Sequence, residues 1–145
     1  MSIIETIWGL VLVVVAGGVW LGQVVVALAP RIGARWGLVE PRESVDAVIW
    51  SDNRAEAIWD TLALWVLPLA GVLLLFDHPR WPPVGLVGSG MYLYFAGRAL
   101  VQRRLMQRHG VRVGTPGYVR LVHGFMALCT VLAAVTIALA VTAPG

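Results

Sequence analysis

The chain has 145 residues, of which 59% are hydrophobic and 13% are charged, and its mean hydropathy is +0.80. A soluble domain is typically about 45–50% apolar and about 25% charged, so this composition excludes an ordinary soluble domain. The basic residues are all arginine, and they outnumber the acidic ones to give a net charge of +3.

Four apolar segments are long enough to cross a bilayer, whose hydrocarbon core of about 30 Å takes about 20 helical residues. They cover residues 3–29, 55–76, 82–104 and 116–141. The first segment lacks the basic start and the short apolar core of a secretory signal peptide, so we interpret it as a membrane helix. The sequence therefore predicts an all-α integral membrane protein, with residues 1–145 forming a single four-helix transmembrane bundle.

Glycines in the first and third spans predict faces on which another helix can lie close, within one chain or between subunits. They are Gly18 and Gly22 in the first span and Gly90 and Gly97 in the third.

The segment "LVEPRESVDAV" predicts that the second helix begins before the membrane, from about residue 41, with Pro41 near its first turn. Pro68 is expected to bend this helix within the bilayer, because it lacks the N–H of a regular turn. In "GTPGYVR", Thr115 is expected to cap the fourth helix, and Pro116 to occupy its first turn.

The arginines are distributed unevenly between the connections. All except Arg80 and Arg98 lie in or beside the connections that follow the first and third spans. By the positive-inside rule we expect both connections in the cytoplasm and both termini outside, in a bacterial inner membrane. The basic loops then face anionic membrane lipids, and no nucleic-acid partner is expected.

Each span carries a polar side chain in the half next to the arginine-rich loops: Gln23, the stripe Asn53, Glu56 and Asp60, then Arg98, and His123. Such groups are costly in lipid and indicate a functional site by default. Asp60 and Arg98 lie at similar depth and are expected to form an ion pair. Haem would require matched histidines and a metal site a His/Cys cluster, so we expect neither. Two interpretations of this polar layer remain. It lines a pocket that opens at the arginine-rich side, or it only specifies how the helices pack.

Two stretches resemble the MAPEG family of membrane-associated proteins in eicosanoid and glutathione metabolism. "NRAEAIWDTLALWVLPLAG" is similar to the family's second helix, which opens with an Asn-x-x-Glu step, here Asn53 and Glu56. "MYLYFAGRALVQRR", with Tyr94 and Arg98, resembles its third helix. Ile49 departs from the pattern, because many members have an arginine one turn before the asparagine.

"RVGTP" is similar to the place where the family keeps an arginine implicated in activating the glutathione thiol. The resemblance implies catalytic roles for Arg112 or, as second choice, Arg120. It implies glutathione as the cofactor, a lipophilic small-molecule substrate, transferase chemistry, and a homotrimer with sites between subunits. The binding residues it implies are Asn53, Glu56, Asp60, Tyr94, Arg98 and His123. The alternative is a non-enzymatic membrane protein whose polar layer serves packing, lipid binding or a partner subunit.

Overall fold

The computed structural model describes residues 2–143, which form four long helices and, within that range, no strand. The helices are α1 (Ile3–Leu28), α2 (Ala47–Leu75), α3 (Trp81–Arg108) and α4 (Pro116–Thr142). Each is long and apolar enough to cross a membrane. The predicted all-α fold with four spans is confirmed, and the chain is an integral membrane protein.

Each helix packs on the next one in the chain: α1 on α2, α2 on α3, and α3 on α4. α4 touches α1 chiefly at Leu12–Ala16, so the seam between these two helices is open along much of its length. The long connections 29–46 and 109–115 lie at the end of the bundle that carries most of the arginines, which we call the basic end.

Hydrogen bonds reinforce the apolar core where helices meet. The buried hydroxyl of Tyr92 on α3 donates to the carbonyl oxygen of Ala16 on α1 at 2.9 Å. Far from the basic end, the indole N–H of Trp8 donates to Thr136 Oγ1 at 3.0 Å, which joins α1 to α4. Burial of apolar surface drives little association in lipid, so contacts of this kind and close packing hold the bundle together.

Two helices are irregular. In α1, residues Leu12–Ala16 form a π-helical turn, which the sequence pattern did not predict. In α2 the helix is interrupted at Leu64 and Trp65, in the turn before Pro68. Proline removes the hydrogen bond to the carbonyl four residues earlier, here that of Leu64. The interruption therefore lies in the turn that Pro68 was expected to distort.

The connection between α1 and α2 differs from the prediction. It contains a short helix, Pro30–Arg35, and a 3₁₀ turn, Arg42–Ser44, and α2 begins only at Ala47. Pro41 therefore precedes the 3₁₀ turn and does not lie in the first turn of α2. At α4 the expected cap is present, since Thr115 Oγ1 accepts from the N–H of Tyr118 at 3.3 Å.

The closest helix contacts use glycines other than the expected ones. A Cβ added at Gly71 would lie 2.7 Å from Leu12 Cβ, and one at Gly88 would lie 2.8 Å from the backbone nitrogen of Leu67. At Gly18 and Gly90 an added Cβ would meet nothing within 4 Å. The faces carrying Gly18 and Gly90 are thus unused within this protomer, and contact between subunits there stays a prediction.

We expect Gly88→Ala to destabilise the protein by about 2 kcal/mol, because the methyl group collides with backbone that cannot move independently. Gly90→Ala, two residues along the same helix, is the matched control, and we expect it to change the free energy of unfolding by less than about 0.5 kcal/mol. Reversible unfolding in mixed detergent micelles measures both. Equal losses for the two variants would contradict the packing described between α2 and α3.

Candidate polar chamber at the basic end

Four polar side chains join α2 to α3 near the basic end. Arg98 Nη1 donates to Glu56 Oε1 at 2.6 Å, and Arg98 Nη2 donates to Asp52 Oδ1 at 3.1 Å. Gln102 Nε2 donates to the other oxygen of Asp52. Asp52 and Glu56 are four residues apart, as are Arg98 and Gln102, so each pair presents one face to the other helix. The charge of Arg98 is balanced by two carboxylates.

The expected ion pair between Asp60 and Arg98 is therefore wrong. Both terminal nitrogens of Arg98 bond to carboxylates that lie nearer the basic end, at Asp52 and Glu56. Asp60 is one turn further into the bilayer and buried, and its Oδ2 has no hydrogen-bond partner. Depth along the helices suggested that Asp60 and Arg98 lie at one level. It does not show which of the three α2 carboxylates, Asp52, Glu56 and Asp60, bonds to Arg98.

A small cavity, which we call the polar chamber, lies inside the bundle beside this network. It has a volume of about 80 Å³, and its polar lining residues are Gln23, Asn53, Glu56, Arg103 and Tyr118. Arg103 Nη2 donates to Asn53 Oδ1 at 3.3 Å, and its guanidinium carbon lies 6.0 Å from the centre of the Tyr118 ring. Three of the expected groups, Gln23, Asn53 and Glu56, thus meet here.

Two of the lining residues keep a buried hydrogen-bond donor with no partner: Asn53 Nδ2 and Arg103 Nη1. An unpaired buried donor is costly, and here an amide and a guanidinium lie side by side. Arginine binds carboxylates through strong, charge-assisted hydrogen bonds. The chamber is therefore suited to one anionic group of carboxylate size, and it is too small for a whole peptide.

The chamber adjoins an apolar groove on the open seam between α1 and α4. This α1–α4 groove has a volume of about 270 Å³ and includes Gly18 and Gly22. Four residues line both spaces: Gln23, Val26, Leu38 and Phe125. A polar site inside the bundle is thus next to an apolar one on its membrane face.

Comparisons of the chain with protein-family models, with curated proteins and with solved structures found no match. Within residues 2–143, no group of three or more His, Cys, Asp or Glu side chains is arranged to hold a metal ion.

The two expected catalytic arginines lie outside the chamber. Arg112 is exposed in the connection before α4, where its Nε donates to Asp46 Oδ1 at 3.1 Å and its backbone N–H to Oδ2 at 2.9 Å. These hydrogen bonds hold the pKa of Asp46 below its usual value. Arg120 is exposed on α4 and lines neither the chamber nor the α1–α4 groove. Arg112 thus ties the connection before α4 to the residue that precedes α2, and Arg120 lies on the exposed surface of α4.

Two further candidates also lie away from the chamber. His123 Nδ1 donates to the carbonyl oxygen of Val119 in its own helix at 2.6 Å, which accounts for a half-buried histidine without a ligand. Tyr94 is 66% exposed on the outer face between α2 and α3, where it lines a groove with Asp60.

Glu40 joins the first connection to the start of α4. Its Oε1 accepts from the backbone N–H and the hydroxyl of Thr115, each at 2.9 Å, and its Oε2 accepts from the hydroxyl of Ser44 at 2.9 Å. Burial of Glu40 favours the neutral carboxyl, but these hydrogen bonds outweigh it, and its pKa lies below the ordinary 4.5. Glu40 thus holds the first connection against the start of α4, at the basic end next to the chamber.

We expect Glu40→Gln to destabilise the protein by about 2 kcal/mol at neutral pH, since hydrogen bonds to a charged acceptor are the stronger kind. Because the folded-state pKa is lowered, this stabilisation is complete above the unfolded-state pKa and is lost as the pH falls through the folded-state value, below 4.5. Unfolding measured from pH 7 downward should show the gap between wild type and variant closing only in that acidic range. A constant gap would contradict the role of the charge.

Arg103, Asp52 and Gln102 belong to the site but were not predicted from the sequence. A signal for the last two exists in the spacing, since Asp52–Glu56 and Arg98–Gln102 are complementary i, i+4 pairs on consecutive helices. Arg103 belongs to a run of arginines that is equally typical of a solvent-exposed helix end. Which of these arginines points into the bundle depends on the rotation of α3 about its axis, which the sequence does not give.

Proposed function

We propose that the protein is a membrane enzyme that binds glutathione through a carboxylate in the polar chamber and joins its thiol sulfur to a lipophilic substrate in the α1–α4 groove. The observation that carries this proposal is the adjacency of the two spaces. Two unpartnered donors, Asn53 Nδ2 and Arg103 Nη1, belong to a polar chamber that shares lining residues with an apolar groove on the membrane face.

Arg103 and Asn53 would donate to one carboxylate of glutathione, and Gln23 offers a third polar group in the chamber. At about 80 Å³ the chamber takes only this end of the tripeptide. The thiol then lies outside it, toward the shared wall with the groove. The homotrimer suggested by the MAPEG resemblance would cover the remainder of the ligand with a neighbouring subunit.

The reaction forms one carbon–sulfur bond. The thiolate of glutathione attacks an electrophilic carbon of the substrate, a leaving group departs with the bonding electron pair, and the thiol proton passes to water at the basic end. Positive charge nearby favours the thiolate, and the arginine-rich basic end contributes a positive potential on that side of the bundle. Arg112 and Arg120 have no part in this proposal, because neither lines the chamber or the groove.

The proposal places the basic end on the cytoplasmic side of a bacterial inner membrane, where thiols are kept reduced. The positive-inside rule supports this orientation, because the arginines cluster in and beside the loops at that end.

One observation favours a second candidate, a non-enzymatic role in packing. Arg98 is balanced by Asp52 and Glu56, and the network joins α2 to α3 without requiring a ligand. Under this alternative the polar groups fix the register of the helices, and the donors of Asn53 and Arg103 bind only water.

The test is turnover in proteoliposomes with glutathione and 1-chloro-2,4-dinitrobenzene, a lipophilic electrophile that releases chloride. We expect wild type to form the thioether faster than protein-free liposomes, and Asn53→Leu to lose most of that excess. Asn53 accepts only one long hydrogen bond, so its substitution should leave the fold intact. Equal rates for wild type, Asn53→Leu and empty liposomes would favour the packing role.

A further inference from the structure

The outer face between α2 and α3 carries a groove that the proposed function does not use. Two adjoining cavities of about 210 Å³ and about 340 Å³ form it, and both are lined by Trp59, Asp60 and Tyr94. We call it the α2–α3 groove. It lies on a different seam from the α1–α4 groove and shares none of that groove's lining residues.

The carboxyl group of Asp60 has an unmet hydrogen-bonding capacity at the junction of the two cavities. Asp60 is 5% exposed, and its Oδ2 is buried with no hydrogen-bond partner. Asp60 lies one helical turn further into the apolar span than Glu56. None of the described residues donates a hydrogen bond to its Oδ2, so a ligand in the groove can supply the donor.

The charge of Asp60 is not balanced by the nearest arginine. Arg98 lines one of the two cavities, but its terminal nitrogens bond to Glu56 and Asp52. Asp60 therefore adds a third carboxyl group to a cluster in which two carboxylates already share one guanidinium. An ammonium group in the groove would supply the counter-charge that an ionised Asp60 lacks.

Two aromatic side chains flank the carboxyl group and remain accessible. Trp59 is 63% exposed and Tyr94 is 66% exposed. Aromatic faces beside a carboxylate attract an ammonium group through their ring quadrupoles, most strongly where water is excluded. An added Cβ at Gly90 would meet nothing within 4 Å, so the apolar part of the groove has room beside it.

We propose that the α2–α3 groove binds a lipophilic amine. The ammonium group donates to Asp60 and lies against Trp59 and Tyr94, while the hydrocarbon part occupies the apolar cavity beyond Leu64 and Gly90. The ligand enters sideways from the bilayer, where such amines concentrate. The groove shares the lining residues Glu56 and Phe95 with the polar chamber, but the proposed thiol chemistry does not use Asp60, Trp59 or Tyr94.

The test uses 4-phenylbutylamine as the probe, with 4-phenylbutanol as its uncharged counterpart, titrated into the full-length protein in a non-ionic detergent. Isothermal titration calorimetry should show saturable binding of one amine per chain and at least tenfold weaker binding of the alcohol. Asp60→Asn keeps the shape of the side chain and removes its charge, and we expect it to weaken amine binding at least tenfold.

Trp59→Leu tests the same site without changing the carboxyl group and should weaken amine binding several-fold. Trp65→Leu is the matched control, because Trp65 is an exposed tryptophan of the same helix that lines neither cavity, and its affinity should be that of wild type. The proposal is overturned if the amine binds wild type and Asp60→Asn equally, or if it does not bind. It is also overturned if size measurements show that a second copy of the chain occupies the groove in an Asp60-dependent way.

Discussion

Replacing Arg98 by leucine should destabilise the protein by about 3 kcal/mol. The substitution leaves Asp52 and Glu56 facing each other in a largely desolvated site with no counter-charge, and breaking a buried pair costs about 3–5 kcal/mol. The lower end of that range applies, because the side chain of Arg98 is 33% exposed. Reversible unfolding in mixed micelles measures the loss.

Two further variants show whether the loss comes from the network. Arg104→Leu removes an exposed arginine of the same helix, and we expect it to change stability by less than about 0.5 kcal/mol. The triple variant Asp52→Asn, Glu56→Gln, Arg98→Leu should recover much of the loss, because no uncompensated charge remains. If the change in the free energy of unfolding of the triple variant equalled the sum of the three single changes, the side chains would not interact as described.

Arg103→Met should weaken glutathione binding at least tenfold and leave thermal stability close to that of wild type. Methionine keeps the apolar stem that packs beside Tyr118 but removes the guanidinium, whose contact with a carboxylate we expect to be worth about 1.4 kcal/mol or more. Equilibrium dialysis with radiolabelled glutathione measures the affinity, and thermal melting of the ligand-free proteins measures the fold.

Arg104→Met is the matched control for Arg103→Met. It removes the same charge from the neighbouring residue, which is exposed and does not line the chamber. If both variants lost affinity to the same extent, glutathione would be responding to the general positive potential of the basic end, and the chamber would not be its site.

The number and approximate positions of the spans could be predicted from the sequence because length and hydropathy determine them. The Pro68 distortion and the Thr115 cap followed from the chemistry of single residues. The first connection was harder, because "LVEPRESVDAV" carries helical spacing across Val45 and Ile49 although α2 begins only at Ala47. Val45 and Ile49 instead pack together against the connection before α4, a contact that no local pattern reveals.

The helix-contact glycines illustrate the same limit. Gly18 and Gly22 form a recognisable motif, yet they face an open groove, whereas Gly71 and Gly88, which belong to no such motif, lie where helices meet closely. Which glycine lies at a contact depends on how each helix is rotated about its axis. That rotation is set by the whole bundle, so a motif within one helix does not determine it.

Most residues of the polar layer could be predicted from the sequence, but which charged side chains pair with each other could not. Depth along the helices predicted one layer that included Asn53, Glu56 and Arg98, and the structure pairs Arg98 with Glu56. The choice of Asp60 as the partner of Arg98 was wrong, because Asp52, unnoticed near the membrane boundary, completes the network with Glu56. The arginine that enters the chamber is Arg103, at the end of α3.

The most direct test of the proposed function is the melting temperature of the wild-type protein in rising concentrations of glutathione. A ligand that binds only the folded state adds RT ln(1 + [L]/Kd), about 2.7 kcal/mol at a hundred times Kd. We expect a clear, saturating rise in melting temperature with glutathione and no comparable rise with its diethyl ester, in which both carboxylates are blocked. An unmoved melting temperature at millimolar glutathione, or an equal rise with the ester, would contradict a carboxylate site in the polar chamber.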